Sequence, residues 1–155
     1  MLKPTFKFFL LACVWIMVSP IPTFAADAKN PWDALNEART LKCGFGPGIS
    51  TSWKGDEPHP EGARIDVEVD LSDIDLQTGK ARLVSKEGVA DVWARVSPMT
   101  VNFVELSGMW NLSVITVYPY YFKGTEDFPA VWSKHLYISD GPSASQFYGA
   151  CRVSE

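Results

Sequence analysis

The feature that most constrains this chain is an alternation of apolar and polar residues with a period of two. Over residues 64–71, apolar Ile65, Val67, Val69 and Leu71 alternate with polar Arg64, Asp66, Glu68 and Asp70. Successive side chains of a β-strand point to opposite faces, so this segment would bury one face and leave the other in water. A helix would mix the two classes around its circumference. The alternation therefore predicts a half-buried strand.

Similar apolar or alternating runs follow, separated by Gly- or Pro-containing turns. The predicted strands cover 81–85, 89–96, 100–106, 110–118, 130–138 and 146–153. Short strands with local connections are typical of an antiparallel meander. We therefore expect an all-β fold, either a small barrel, lipocalin-like in shape, or a sandwich of about seven or eight strands.

A short helix is predicted before the strands. Asn30 can cap it, Pro31 suits its first position, and Trp32, Leu35, Ala38 and Leu41 recur every third residue as an apolar stripe. The glycines between Gly44 and Gly48 are predicted to end it. Residues 55–62, with two prolines and His59, are predicted to form a polar loop.

The first 25 residues have the pattern of a signal peptide. Lys3 and Lys7 precede an apolar run of 11 residues from Phe8 to Val18, and small residues surround a cleavage point after Ala25. The run is short for a membrane anchor. A lipid-modified Cys13 is the further alternative. We expect cleavage to leave one β-rich domain, 26–155, exported to the periplasm or secreted, with no stable membrane span.

The cysteines predict one disulfide. Cys13 would leave with the leader, so Cys43 and Cys151 remain in an oxidising setting. A metal site is not expected, because neither residue has the neighbouring cysteine that a metal motif such as Cys-x-x-Cys requires, and free thiols are the remaining alternative. The bond would join the first and last parts of the β region.

Catalytic and metal motifs are incomplete. His59 and His135 are far apart, and no Gly-x-Ser-x-Gly motif is present, although a hydrolase could use His135 with Ser133 or Ser145. The acidic run between Asp66 and Asp75 is interpreted as a solvated strand face rather than a calcium site. We predict no catalytic residue, no metal ion and no cofactor, and interpret His135 as structural.

Aromatic residues are the better candidates for contact with a ligand or partner. Trp110, Tyr118 and Trp132 lie on predicted strands or their exits, and His135 shares a strand with Trp132. In a barrel such side chains fill the core or line a cavity for an apolar ligand. A nucleic-acid partner is not expected, because 14 basic residues face 18 acidic ones without a basic block.

Three sequence segments resemble those of a known protein family: Leu41-Lys42-Cys43-Gly44-Phe45-Gly46, Ala130-Val131-Trp132-Ser133-Lys134-His135 and Ser145-Gln146-Phe147-Tyr148-Gly149-Ala150-Cys151. Together they resemble a family of small exported bacterial proteins of unknown function. The resemblance implies a bacterial, exported protein with a closing strand held by Cys151, and it carries over no catalytic residue.

The expected function is that of a non-catalytic binding or structural module in the bacterial envelope or outside the cell. Its partner would be an unknown protein or an envelope component. The alternative is a lipocalin-like carrier of a small apolar ligand, although the Gly-x-Trp signature of that group is not present. A small hydrolase that uses His135 is the third hypothesis.

Overall fold

The computed structural model describes residues 29–107, 111–138 and 141–154. Helix α1 (Pro31–Glu37) precedes the strands β1 (Leu41–Lys54), β2 (Glu57–Asp75), β3 (Lys80–Ser85), β4 (Gly88–Ser97), β5 (Thr100–Leu106), β6 (Leu112–Val117), β7 (Phe128–Ile138) and β8 (Gly141–Val153). The predicted leader, 1–25, lies outside the described residues.

The strands form an antiparallel meander that closes on itself. Each strand pairs with the next along the chain, and β8 pairs with β1 to complete a closed barrel. The prediction of an all-β antiparallel meander with a short N-terminal helix is confirmed. Of the two predicted arrangements, the barrel is the one observed, because hydrogen bonding runs around the whole ring.

Helix α1 is shorter than its apolar stripe suggested. The Asn30 side chain accepts a hydrogen bond from the Trp32 backbone N–H at 3.0 Å, and Pro31 occupies the first turn as predicted. The helix ends at Glu37, however, and Leu41 begins β1 instead of continuing the stripe. Leu35, which is 1% exposed, packs into the core at one end of the barrel.

The first hairpin is the largest departure from the predicted elements. Residues 41–54 form β1, although Leu41 belongs to the predicted helical stripe and the glycines between Gly44 and Gly48 are predicted to end the helix. Residues 57–62 are part of β2 rather than a loop. Only Gly55 and Asp56 form the turn, where Gly55 has φ +64°. Trp53 pairs with Pro58, and Ile49 pairs with Gly62. This pairing makes both segments strands, which their local composition did not indicate.

The closing strands begin earlier than predicted. β7 starts at Phe128 rather than Ala130, and β8 starts at Gly141 rather than Gln146. Cross-strand pairing extends both strands, because Phe128 faces Cys151 and Ile138 faces Gly141 in their register.

A disulfide joins β1 and β8 where the barrel closes. Cys43 and Cys151 lie directly opposite each other, with their Cα atoms 4.0 Å apart and their side chains buried. This confirms the predicted pairing. Close approach of the strands nearby depends on glycine, since a Cβ at Gly149 would lie 1.9 Å from the Gly44 carbonyl oxygen.

The two ends of the barrel differ. The end that α1 covers is filled by buried side chains, among them Leu71, Ile74, Val117 and Phe128. At the other end β1, β2, β7 and β8 extend beyond the shorter strands, because β3 stops at Ser85 and β6 begins only at Leu112. We call this second end the mouth.

Candidate functional site

A cavity of about 420 Å³ lies at the mouth of the barrel. It is bounded by β2, the β3–β4 hairpin, β5 and β7, with side chains that include Val67, Leu83, Ala90, Glu105, Trp132 and Lys134. Cavities of roughly 300–1,000 Å³ with apolar walls and a few polar groups are typical of ligand sites. This cavity is therefore the candidate site.

Trp132 forms the apolar floor of the cavity. Its side chain is 6% exposed, and its ring lies 5.3 Å from that of Phe45, centroid to centroid. The indole Nε1–H donates a hydrogen bond to the Ser113 hydroxyl at 2.6 Å. Packing and this hydrogen bond together hold the ring in one orientation.

A polar layer lies immediately above this floor. Glu105 on β5 is opposite Ser113 on β6, and Ser113 is opposite Lys134 on β7. Alternation places all three on the inner face, since the residues two positions away, Phe103 and Trp132 among them, are buried. The inner wall of the mouth thus carries a carboxylate, a hydroxyl and an ammonium group.

Lys134 is held against the floor. Its Nζ lies 3.9 Å from the centroid of the Trp132 ring, which is a cation–π contact. The ammonium group therefore covers one face of the indole, while Glu105 lines the same cavity from β5. A ligand that enters here meets an aromatic surface and charges of both signs.

The mouth is open on one side because β2 is not paired with β3 over the first part of its length. Pairing between β2 and β3 begins only at Asp70, opposite Val84. From residue 57 to residue 69, β2 pairs with β1 but with no strand on its other edge among those the structure describes. The cavity occupies this gap, between residues 66–68 of β2 and residues 85–90 of the β3–β4 hairpin.

His135, the candidate of the hydrolase hypothesis, lies outside the cavity. It is exposed on β7 opposite Ala144, and it lines a shallow depression on the outer face with Trp53 and Tyr137. Ser133 shares that outer face, whereas Ser145 lies opposite Lys134 on the inner face. The structure therefore separates His135 from both Trp132 and Ser145.

Tyr118, a second aromatic candidate, is not brought to the cavity. Tyr118 follows β6 at the end near α1, where its backbone N–H bonds to the Pro129 carbonyl and its ring lies 6.3 Å from that of Tyr120. Nearby, burial and the charge of Glu126 raise the pKa of Tyr121. Trp110 lies outside the described residues. Of the two aromatic candidates that the structure describes, Trp132 is the one placed in the cavity wall.

The acidic run follows the predicted strand face. Asp66 and Glu68 are exposed on β2, and Asp70 is partly exposed. Within 29–107, 111–138 and 141–154, no group of three or more His, Cys, Asp or Glu side chains is placed to hold a metal ion.

Sequence reasoning missed Glu105, Ser113 and Lys134. The sequence contained a pattern that could have identified them, because each lies two residues from a large apolar residue of its strand: Phe103, Ile115 and Trp132, respectively. Alternation alone assigns these residues to an inner face, but only the strand register shows that they lie directly opposite one another, at the same height in the barrel. They are candidates for ligand contact because that height is at the open mouth.

In the part of the chain that the structure describes, no helix is both long and apolar enough to cross a bilayer.

The chain was also compared with known proteins. Comparison with family models, curated proteins and solved structures finds no match to this chain. The resemblance to small exported bacterial proteins therefore stays a prediction.

Proposed function

We propose that the chain is an exported, non-catalytic binding domain whose ligand enters the mouth of the barrel and lies against Trp132. The observation that carries the proposal is the polar layer formed by Glu105, Ser113 and Lys134 above an apolar floor. Charged side chains are rarely drawn to the inner face of a small barrel, because partial burial costs solvation free energy. Their presence beside a cavity is accounted for if they contact a ligand.

The cavity favours an amphipathic ligand over a purely apolar one. Trp132, Val67 and Leu83 offer apolar surface, whereas Glu105 and Lys134 offer charge at the same opening. An apolar ligand would remove solvent from both charged groups without replacing it. The volume of the cavity and its aromatic floor favour a second candidate function, that of a lipocalin-like carrier of a small apolar ligand.

Export is supported by the disulfide. A buried cross-strand bond between Cys43 and Cys151 is typical of proteins that fold in an oxidising compartment. The predicted signal peptide points the same way, and the periplasm or the outside of a bacterial cell is the proposed location.

The indole N–H of Trp132 provides a direct test. Its NMR resonance, assigned with Trp132→Phe, is recorded while hexylamine, hexanoate and hexanol are titrated into the oxidised protein. We expect at least one charged probe to shift this resonance, because the indole lies in the cavity wall. Trp53 and Trp93, which are 45% and 49% exposed, serve as controls and should not move.

Lys134→Met then separates charge from packing. Methionine retains an unbranched apolar stem but not the ammonium group, so hexanoate should bind about tenfold more weakly. Lys123→Met, at an exposed position near the opposite end, is the matched control. The proposal is wrong if no probe shifts the Trp132 indole resonance, or if the three indole resonances shift together.

A further inference from the structure

Along residues 57–69, the edge of β2 that faces away from β1 has no partner strand among the described residues, and this edge adds a second binding element to the mouth. An unpaired strand edge presents backbone N–H and C=O groups that another strand can bond. Natural edges are often protected, and here Pro58 and Pro60 lack an N–H in the outermost part of β2. The register of β2 against β1 also shifts between Arg64 and Val67. The regular, proline-free part of the edge is therefore residues 67–69.

This part of the edge adjoins the cavity. Asp66, Val67 and Glu68 line it from one side, and the β3–β4 hairpin lines it from the other. The hairpin turns at Lys86 and Glu87, so β3 stops before it can cover these residues of β2. A short extended segment placed there would continue the position of β3 along β2.

Resting on the proposed function, we propose that the ligand is an extended peptide segment of another protein that adds to the edge of β2 at residues 67–69. It directs a basic side chain into the cavity toward Glu105. Alternate side chains of a strand point to one face, so a peptide bonded to this edge presents every second side chain to the mouth.

Charge selects a basic segment. Among the described residues that line the cavity, the acidic groups outnumber the basic ones: Asp66, Glu68, Glu87 and Glu105 against Lys86 and Lys134. The ammonium of Lys134 already occupies a face of Trp132. An incoming ammonium or guanidinium group therefore has Glu105 as its partner rather than the indole ring.

The same charges disfavour a second copy of this chain. Two β2 edges paired with each other would bring Asp66, Glu68 and Asp70 of both copies together. Like charges across a strand pair are destabilising. The whole chain also has a formal net charge of −4, so self-association lacks the complementarity that a basic partner offers.

The test uses synthetic peptides and the oxidised protein. The probe is acetyl-Thr-Val-Lys-Val-Thr-amide, compared with the same peptide carrying Glu in place of Lys and with a form N-methylated at alternate residues. We expect the Lys peptide to shift the amide resonances of residues 67–69 and the Trp132 indole resonance. Both altered peptides should bind about tenfold more weakly, because one loses the charge pair and the other the backbone hydrogen bonds.

Glu105→Gln provides the protein-side test. This variant should bind the Lys peptide about tenfold more weakly than the wild type does. It should bind the Glu peptide no more weakly, since the charge of Glu105 attracts the Lys peptide and repels the Glu peptide. Glu126→Gln, at the end near α1, is the matched control and should change neither affinity. Added salt should weaken binding of the Lys peptide to the wild type.

The outcomes separate this inference from the proposed function. If the small charged probes shift the Trp132 resonance but the Lys peptide does not bind, the cavity binds ligands and the peptide inference is wrong. Equal affinity for the Lys, Glu and N-methylated peptides also overturns it. If no small probe shifts the Trp132 resonance, the proposed function fails, and the peptide inference that rests on it fails with it.

Discussion

Opening the Cys43–Cys151 disulfide should cost this protein a large part of its stability. The bond closes a loop with a sequence separation of 108 residues. In the loop-entropy description, a crosslink of that length removes enough freedom from the unfolded chain to be worth about 5 kcal/mol at 25 °C. Domain stabilities are commonly about 5–15 kcal/mol, so the reduced protein should be much closer to its unfolding threshold.

The native structure itself should change little on reduction. β1 and β8 remain hydrogen-bonded from Leu41 opposite Val153 to Ser52 opposite Ser143. Both cysteines are buried, at 2% and 1% exposure, so two thiols stay in an apolar environment and no atom is lost from the core. The expected loss therefore arises in the unfolded state.

The assay is urea unfolding of the wild type with and without a reductant, followed by circular dichroism. With an m-value of about 2 kcal/mol/M, the midpoint should fall by about 2–3 M. The Cys43→Ala/Cys151→Ala variant should lose more than the reduced wild type, because it also loses two buried sulfur atoms. A loss below about 1 kcal/mol on reduction, with native near-UV dichroism retained, would refute the loop argument.

Three further outcomes can be measured. Gly149→Ala should destabilise the barrel by about 3 kcal/mol in urea unfolding, because its Cβ would meet a backbone oxygen at 1.9 Å, whereas Gly62→Ala, with nothing within 4 Å, should be nearly neutral; equal effects would contradict the close approach of the strands. A hydrogen bond from the Thr78 backbone lowers the pKa of Asp75 below 3.8, so its ionised form stabilises the fold above about pH 4 and this contribution is lost as the pH falls through the folded-state pKa. Asp75→Asn should thus melt below the wild type at pH 7 and approach it near pH 2, and a constant difference would exclude this linkage. If the predicted signal peptide is cleaved, N-terminal sequencing of the protein purified from its own cells and their medium should give a chain that begins near Ala26, and a chain that begins at Met1 would rule out cleavage.

Local patterns predicted much of the fold. The alternation around Val67 and the turns at Gly79 and Gly88, both with positive φ, indicated strands and reversals that the structure contains. Alternation reports which side chains share a face, and turn residues report where the chain reverses. Both depend on neighbours in sequence, so they can be predicted without knowing the fold.

The first strand shows where local patterns fail. Gly44, Gly46, Pro47 and Gly48 disfavour regular structure, yet they lie within β1. Two strands flank this segment, and β8 comes so near that a Cβ at Gly48 would lie 2.1 Å from the Gln146 carbonyl oxygen. The glycines are required by strands distant in sequence, and that requirement cannot be detected in the segment alone.

Local sequence patterns were enough to predict antiparallel strands after a short helix, and the pairing of Cys43 with Cys151 was predicted on the assumption that Cys13 leaves with the leader. The tertiary structure decided that the last strand closes on the first and that β3 stops short of residues 57–69 of β2. It also decided that Glu105 and Lys134 share a level above Trp132. The physical reason is that face and turn depend on local backbone geometry, whereas closure, register and an open mouth depend on the relative lengths and offsets of strands that are far apart in the chain.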